Sequence, residues 1–176
     1  MTIDYIAVNG GELIPTANIK KLSEITPGDR ESLAGLGDHV DADRFETRID
    51  FADKSKFFVP DTVQEIAAQG VKLVLIDDDN NVFVIGENLK KAKNITEDDR
   101  TKFHERTGRQ MRTDFLSRLE TKAGTVLSTV RADIVLKRMS GGGVRAASPT
   151  LHEQHGETSE DSERAASAAA TAFAPN

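Results

Sequence analysis

The hydrophobic pattern of residues 71–88 is the clearest structural signal in the chain. Two apolar runs, residues 71–76 and 82–85, flank an uninterrupted series of Asp and Asn at residues 77–81. Asp and Asn favour turns, because their short side chains bond to nearby backbone and tolerate left-handed dihedrals. The pattern therefore predicts a β-hairpin. Since both runs are almost wholly apolar, both faces of the hairpin should be covered, which favours a central place in a sheet.

The same arrangement, a hairpin followed by a helix, is predicted at two earlier points. Asn9-Gly10-Gly11 lies between two short strands, and residues 52–55 lie between two more. Asn-Gly is a strong signal for a tight hairpin turn. A helix is expected after each hairpin, at residues 16–25, at residues 61–68 with Asp61 as N-cap, and from Leu89 onward. The fold class predicted is α+β, with a sheet built from repeated β-hairpin/helix units.

Two further elements are predicted between the first and second hairpins. Thr26 followed by Pro27 is typical of a helix start, because proline at the first helical position loses no hydrogen bond. This helix should end near Gly37. Residues 44–51 alternate between apolar and charged side chains, which predicts a strand with one wet face, nearer a sheet edge than residues 71–76.

After residue 95 the hydrophobic period changes. Thr96 followed by three acidic residues predicts a helix N-terminus, and a long amphipathic helix is expected from there to Lys122, although Gly108 opposes it. Residues 125–139 leave two alternatives open. The four-residue steps Val126, Val130 and Ile134 favour a helix, whereas the Val, Thr and Ile content suits a strand.

The C-terminal part is poor in large apolar residues and rich in Ala, Ser and Glu. Such a segment cannot bury enough surface to offset its ordering entropy, so a flexible tail is expected. The sequence thus predicts a hairpin-helix module at 1–95, a helical basic region at 96–139 and a tail at 140–176.

Composition limits the cellular setting. The 176 residues include no Cys, which excludes disulfides and thiolate chemistry, and no apolar run approaches the roughly 20 residues that cross a bilayer. The first residues carry an acid where a signal peptide carries bases. A cytoplasmic protein without membrane contact is expected.

The net charge of −6 is unevenly distributed. Lys and Arg number 8 against 17 Asp and Glu in residues 1–89, 14 against 7 in residues 90–145, and 1 against 5 in residues 146–176. A basic middle segment between acidic flanks bears on partners and self-association rather than on fold.

Several motifs resemble functional sites but lack required residues. A calcium loop beginning at Asp77 would need Gly at position 82 and Glu at position 88, where the chain has Val and Asn. A zinc-protease helix beginning at His104 would need His at position 108, where the chain has Gly. The acidic loop at residues 38–43 places His39 among carboxylates that could ligate a divalent metal, but the sequence supplies no obvious further ligands. No catalytic residue, cofactor, metal site or small-molecule substrate is predicted, and a non-enzyme is expected.

The basic segment is the strongest candidate for function. If the segment is helical, four of its basic side chains fall within about a 120° arc beside the apolar stripe. These are Lys102, Arg106, Arg109 and Arg112. The leading interpretation is a structural or assembly protein that forms a homo-oligomer, or docks on a larger protein assembly, through residues 90–145. The alternative is an accessory protein that contacts nucleic-acid phosphates through the same segment.

Overall fold

The computed structural model describes residues 3–37 and 39–141, which form an α+β fold of three antiparallel sheets and four helices. The strands are β1 (Tyr5–Val8), β2 (Glu12–Pro15), β3 (Ile19–Glu24), β4 (Thr47–Phe51), β5 (Lys56–Val59), β6 (Leu73–Asp77), β7 (Val82–Ile85), β8 (Leu89–Asn94), β9 (Ser117–Thr121) and β10 (Gly124–Ser128). The helices are α1 (Pro27–Ala34), α2 (Val63–Ala68), α3 (Glu97–Thr107) and α4 (Ala132–Ser140). Most of the tail predicted at residues 140–176 lies outside the described residues.

The described chain consists of two successive copies of one supersecondary unit. Each copy runs hairpin, 3-10 turn, strand, helix, second hairpin and final helix, from β1 to α2 in repeat 1 (residues 3–70) and from β6 to α4 in repeat 2 (residues 71–141). Residues 18–30 and 88–100 are identical at 7 of 13 positions. The identical positions are Asn18, Lys20, Lys21, Ile25, Thr26, Asp29 and Arg30, each 70 residues before its counterpart.

Equivalent hydrogen bonds show that the two repeats match in detail. The amide of Ile25 donates to the Glu46 carbonyl at 3.0 Å, and the amide of Ile95 donates to the Leu116 carbonyl at 2.9 Å. Thr26 with Asp29, and Thr96 with Asp99, form reciprocal capping boxes at the starts of α1 and α3. The helix starts predicted at Thr26-Pro27 and at Thr96 are therefore confirmed.

The repeats are joined through a shared sheet. The five-stranded sheet has the order β5-β4-β3-β7-β6, so the first hairpin of repeat 2 extends the sheet of repeat 1. Strands β3 and β7 are antiparallel, with Leu22 opposite Phe83 and Ser23 opposite Val82. The other sheets are the β1-β2 hairpin and the three-stranded sheet β10-β9-β8.

The hairpin β6-β7 contributes to both hydrophobic cores. Leu73, Phe83 and Ile85 pack into the core of repeat 1, which also contains Leu22 and Ile49. The opposite face of the hairpin packs into the core of repeat 2 through Val74, Ile76 and Val84. The prediction that both faces of this hairpin are covered is confirmed. Its predicted central position holds for β7, which lies between β3 and β6, but is wrong for β6, the last strand of the sheet. The strand at residues 44–51 was expected nearer an edge than residues 71–76, which is also wrong, because β4 pairs on both sides.

Two helices expected directly after hairpins are strands instead. Thr16–Asn18 and Gly86–Asn88 form single 3-10 turns, and β3 and β8 follow them. Both segments contain Lys-Lys and have good helix formers, but helix propensity is a weak preference that sheet pairing overrides. β3 pairs with β4 and β7, and β8 pairs with β9.

The long helix expected from Thr96 to Lys122 is also wrong. Helix α3 ends at Thr107, because Gly108 adopts a left-handed φ of 69° and its amide closes the last turn on the His104 carbonyl. Residues 117–121 form β9, in which Leu119 is fully buried. Both alternatives for residues 125–139 hold in part, since β10 is followed by α4. The N-cap of α2 is Thr62 rather than Asp61, whose carboxylate accepts from the Asn9 amide at 2.6 Å.

Candidate assembly interface

The four basic residues singled out from the sequence do not share a helix face. Lys102 and Arg106 lie on α3, whereas Arg109 and Arg112 lie in the loop after Gly108. Lys102 and Arg106 line a groove of about 440 Å³ beside β9 and β10, together with Phe103 and Arg118. Arg112 faces a different cleft, so the structure brings together only two of the four.

Two of these cations are paired locally. Lys102 Nζ lies 2.6 Å from Asp98 Oδ2, and this hydrogen bond raises the pKa of Lys102. The Arg112 guanidinium bonds to the Asp114 carboxylate, which raises the pKa of Arg112, and lies 5.0 Å from the centre of the Phe115 ring. Exposed pairs of this kind contribute little to stability, but they reduce the charge that each cation presents to a partner.

Arg106 and Arg109 differ from this pair of cations. In the part of the chain that the structure describes, the side chains of Arg106 and Arg109 form neither hydrogen bonds nor ion pairs, and both residues are exposed. Each guanidinium keeps five N–H donors for water or for an external anion.

A second basic group was missed from the sequence. Lys90, Lys91 and Lys93 are exposed along β8, the outer strand of the repeat 2 sheet. Among the described residues, β8 pairs with β9 on one side and with no strand on the other. The Lys-rich sequence of residues 90–93 is visible without a structure, but its assignment to a helix concealed the free strand edge.

The cleft that contains Arg112 lies between the two repeats. Its volume is about 510 Å³, and Lys20, Lys21, Ser23 and Arg48 line its repeat 1 side. Ser23 is buried, and its hydroxyl has no hydrogen-bond partner among the described residues. Arg48 Nε lies 3.2 Å from Asp50 Oδ1, an ion pair without hydrogen-bond geometry. Three of the cations that line the cleft are already paired with carboxylates of the same chain, Lys21 and Arg48 with Asp50, and Arg112 with Asp114.

Asp29 orders the charged groups beside this cleft. Arg48 Nη1 donates to the two oxygens of the Asp29 carboxylate at 2.8 and 3.0 Å. Burial alone would raise the pKa of Asp29, but hydrogen bonds from Thr26 and Arg48 outweigh burial and lower it. The carboxylate both caps α1 and fixes the Arg48 side chain, which is a structural role.

The described residues offer neither a metal site nor a membrane-spanning helix. Among residues 3–37 and 39–141, no three His, Asp or Glu side chains converge as a metal site would require. Within the same residues, every helix is too short or too polar to cross a membrane.

Comparison with known proteins gives no assignment. No protein-family model matches the chain, and no curated protein or solved structure matches it significantly. The function therefore has to be argued from the residues of this chain.

Proposed function

We propose that this chain is a non-catalytic structural or assembly protein that self-associates, or docks on a macromolecular partner, through the basic segment at residues 90–145. One observation carries the proposal. Strand β3 is paired on both sides, whereas among residues 3–37 and 39–141 its repeat 2 counterpart β8 has one free edge, bordered by three exposed lysines. A free strand edge is a template for adding another strand, which makes it a natural docking element.

The charge distribution supports the same function. Repeat 1 holds 7 Lys and Arg against 13 Asp and Glu, whereas repeat 2 holds 14 against 11. Opposite charges on the two ends of one subunit favour encounters between unlike ends and disfavour encounters between like ends. Such contacts build open chains, or rings when the rotation closes.

Sizing chromatography with light scattering tests the proposal. We expect an oligomer whose mass rises with protein concentration and falls with added salt. The charge reversal Lys90→Glu/Lys91→Glu/Lys93→Glu should shift it to monomer, and Arg109→Glu/Arg112→Glu should weaken it if the loop takes part. The matched control is Lys54→Glu/Lys56→Glu, on exposed lysines of repeat 1. A monomer at millimolar concentration would contradict self-association.

Nucleic-acid binding is the second candidate, and the free guanidinium groups of Arg106 and Arg109 favour it. Such binding would be largely independent of sequence and would weaken steeply with salt, because each phosphate contact releases counterions. We expect retention on heparin and a mobility shift at low salt that Arg106→Glu/Arg109→Glu abolishes. Absence of a shift at low salt removes this candidate.

A further inference from the structure

The junction between the two repeats joins a hairpin, β6-β7, to a receiving strand, β3. Repeat 1 has an equivalent hairpin, β1-β2, and repeat 2 has an equivalent strand, β8, and among the described residues neither takes part in such a junction. At this internal junction, β7 adds to the edge of β3, and Asn88 donates to the carbonyls of Thr16 at 2.7 Å and Ile19 at 3.5 Å. Asn88 is only 2% exposed. The incoming hairpin is thus held by strand pairing, by its apolar face and by one buried amide.

The first half is the outer face of the β1-β2 hairpin. Leu13 is the repeat 1 counterpart of Phe83, yet Leu13 is 65% exposed whereas Phe83 is 5% exposed. Tyr5 pairs with Pro15 as Leu73 pairs with Ile85, so the two hold the same place in their hairpins. Tyr5 is 55% exposed, whereas Leu73 is 1% exposed. The free edge of β2 pairs with no strand among the described residues. The hairpin β1-β2 thus has the same apolar face as β6-β7, but among the described residues no core covers it.

The second half is the edge of β8. In repeat 1, Ile19 and Leu22 of β3 are buried beneath the incoming hairpin. Their counterparts on β8, Leu89 and Ala92, pack against the repeat 2 core but remain partly exposed. Within the described part of the chain, repeat 2 therefore has the receiving strand but no hairpin added to it.

Asn18 is an independent sign of the same junction. Asn18 is the repeat 1 counterpart of Asn88 and follows the equivalent hairpin. Asn18 is exposed, however, whereas Asn88 is buried. If a second copy supplied β8, the Asn18 amide would face the carbonyls of Gly86 and Leu89, which correspond to the Thr16 and Ile19 carbonyls that Asn88 bonds.

The lysines on β8 do not argue against pairing. Charged residues on an edge strand often prevent unwanted strand addition. Lys20 and Lys21, however, are identical to Lys90 and Lys91, and they lie on β3, to which β7 nevertheless adds through Leu22 and Ser23. Lysines at these two positions are thus compatible with the addition of a hairpin to the strand that carries them. In the equivalent register, Glu12 would lie opposite Lys93, an attractive cross-strand pair.

We infer that copies of this chain join head to tail by strand addition, with β2 of one copy antiparallel to β8 of the next. In this register Leu13 lies opposite Ala92 and Glu12 opposite Lys93, which reproduces between copies the junction that β7 and β3 form within one. The partner is a second copy of the chain, and the interface is open-ended. The inference rests on the proposed assembly function and specifies its partner and geometry.

Cysteine crosslinking tests the register, because the natural chain has no Cys. A Leu13→Cys variant is mixed with an Ala92→Cys variant of different tag length and oxidised. The expected product is the mixed dimer, and the Leu13→Cys/Ala92→Cys double variant alone should give a ladder on a non-reducing gel. Leu36→Cys replaces Leu13→Cys in the control, since Leu36 is 66% exposed and lies off both strands. A product made only of dimers of one variant would overturn the head-to-tail geometry.

A surface substitution separates this inference from the proposed function. Leu13→Arg should raise the dissociation constant about tenfold or more in sedimentation velocity, whereas Leu36→Arg should leave it unchanged. Circular dichroism melting checks that both variants are folded. If the wild type associates, Leu13→Arg has no effect and no mixed crosslink forms, the inference is overturned while the assembly function stands. If the wild type is monomeric under all conditions, the inference and self-association are both overturned, and only docking on a different macromolecule is left of the proposed function.

Discussion

Arg30 and Arg100 lie 70 residues apart and make the same hydrogen bond. Nη1 of Arg30 donates to the Ala42 carbonyl at 3.0 Å, and Nη1 of Arg100 donates to the Arg112 carbonyl at 2.9 Å. In both repeats an arginine side chain on the helix thus binds the loop that leads to the second hairpin. Arg100 binds its loop more fully, because it also donates to the Thr113 and Phe115 carbonyls.

Loss of Arg100 should loosen the loop at residues 108–116. We expect Arg100→Ala to lower the free energy of unfolding by about 2 kcal/mol, because a part-buried charged donor loses several carbonyl partners. Urea denaturation measures the change. Arg106→Ala on the same helix is the control, and it should stay within about 0.5 kcal/mol of wild type, since its side chain is exposed. Equal losses in the two variants would contradict the anchoring role.

Asp29 should give the protein an acid-sensitive stability. Hydrogen bonds lower its pKa in the folded state below the usual 3.8, so its contribution is present above about pH 4 and disappears as the pH falls through the lowered value. Asp29→Asn should therefore destabilise the protein at pH 7 by about 1–2 kcal/mol and flatten the decline of stability towards pH 2. Denaturation across pH 2–7 tests both effects. Glu31→Gln, exposed on the same helix, should keep the wild-type profile.

Asn18 and Asn88 should respond differently to the same substitution. Asn88→Ala removes a buried donor, so the carbonyls of Thr16 and Ile19 each lose one hydrogen bond. This loss should lower the free energy of unfolding of a single subunit by about 1–3 kcal/mol. Asn18→Ala should leave that stability within about 0.5 kcal/mol and instead weaken association. Thermal melts and sedimentation velocity on the same samples distinguish the two. A large loss of stability in Asn18→Ala would contradict the assignment of Asn18 to an interface.

Equivalent core positions should be equally costly to truncate. Ile49 and Leu119 occupy matching places on β4 and β9, and both are fully buried. Ile49→Ala and Leu119→Ala should each lower the free energy of unfolding by about 2–5 kcal/mol through lost burial and a residual cavity. Leu136→Ala is the control, because Leu136 is 41% exposed. A small effect of Leu119→Ala would mean that the repeat 2 core is poorly packed.

Gly108 should be needed for its backbone conformation alone. Its φ is 69°, and a Cβ there would meet no atom within 4 Å, so Gly108→Ala should cost about 1 kcal/mol from the left-handed conformation. Gly28 is the matched control. It has ordinary dihedrals and room for a Cβ, so Gly28→Ala should be neutral or slightly stabilising. A neutral Gly108→Ala would contradict the role of this residue in ending α3.

The elements predictable from the sequence are those with local signals. Asn9-Gly10-Gly11 and the acidic turn at residues 77–81 marked their hairpins, and Thr26 and Thr96 marked their helix starts. Strands β3 and β8 were missed, because their conformation depends on pairing with residues far along the chain. β9 was missed because its buried alternation was interpreted as part of a helical stripe.

Only the positive charge of the candidate interface was predictable from the sequence, and the arrangement of its side chains was not. The excess of Lys and Arg in residues 90–145 indicated the half of the chain in which the exposed lysines of β8 lie. The arrangement of Lys102, Arg106, Arg109 and Arg112 depended on a continuous helix that Gly108 ends. The 70-residue repeat was visible in the match between residues 18–30 and 88–100, but comparing hairpins at shorter spacings concealed it.

The hairpin β6-β7, with one face in each core, makes the two repeats mechanically dependent. Cutting the chain at residue 70 would strip the first half of Leu73, Phe83 and Ile85, and would leave those side chains open to water on the second half. Stretching a single molecule between its ends should accordingly produce one rupture event instead of two, since neither half keeps a closed interior once the hairpin is pulled away.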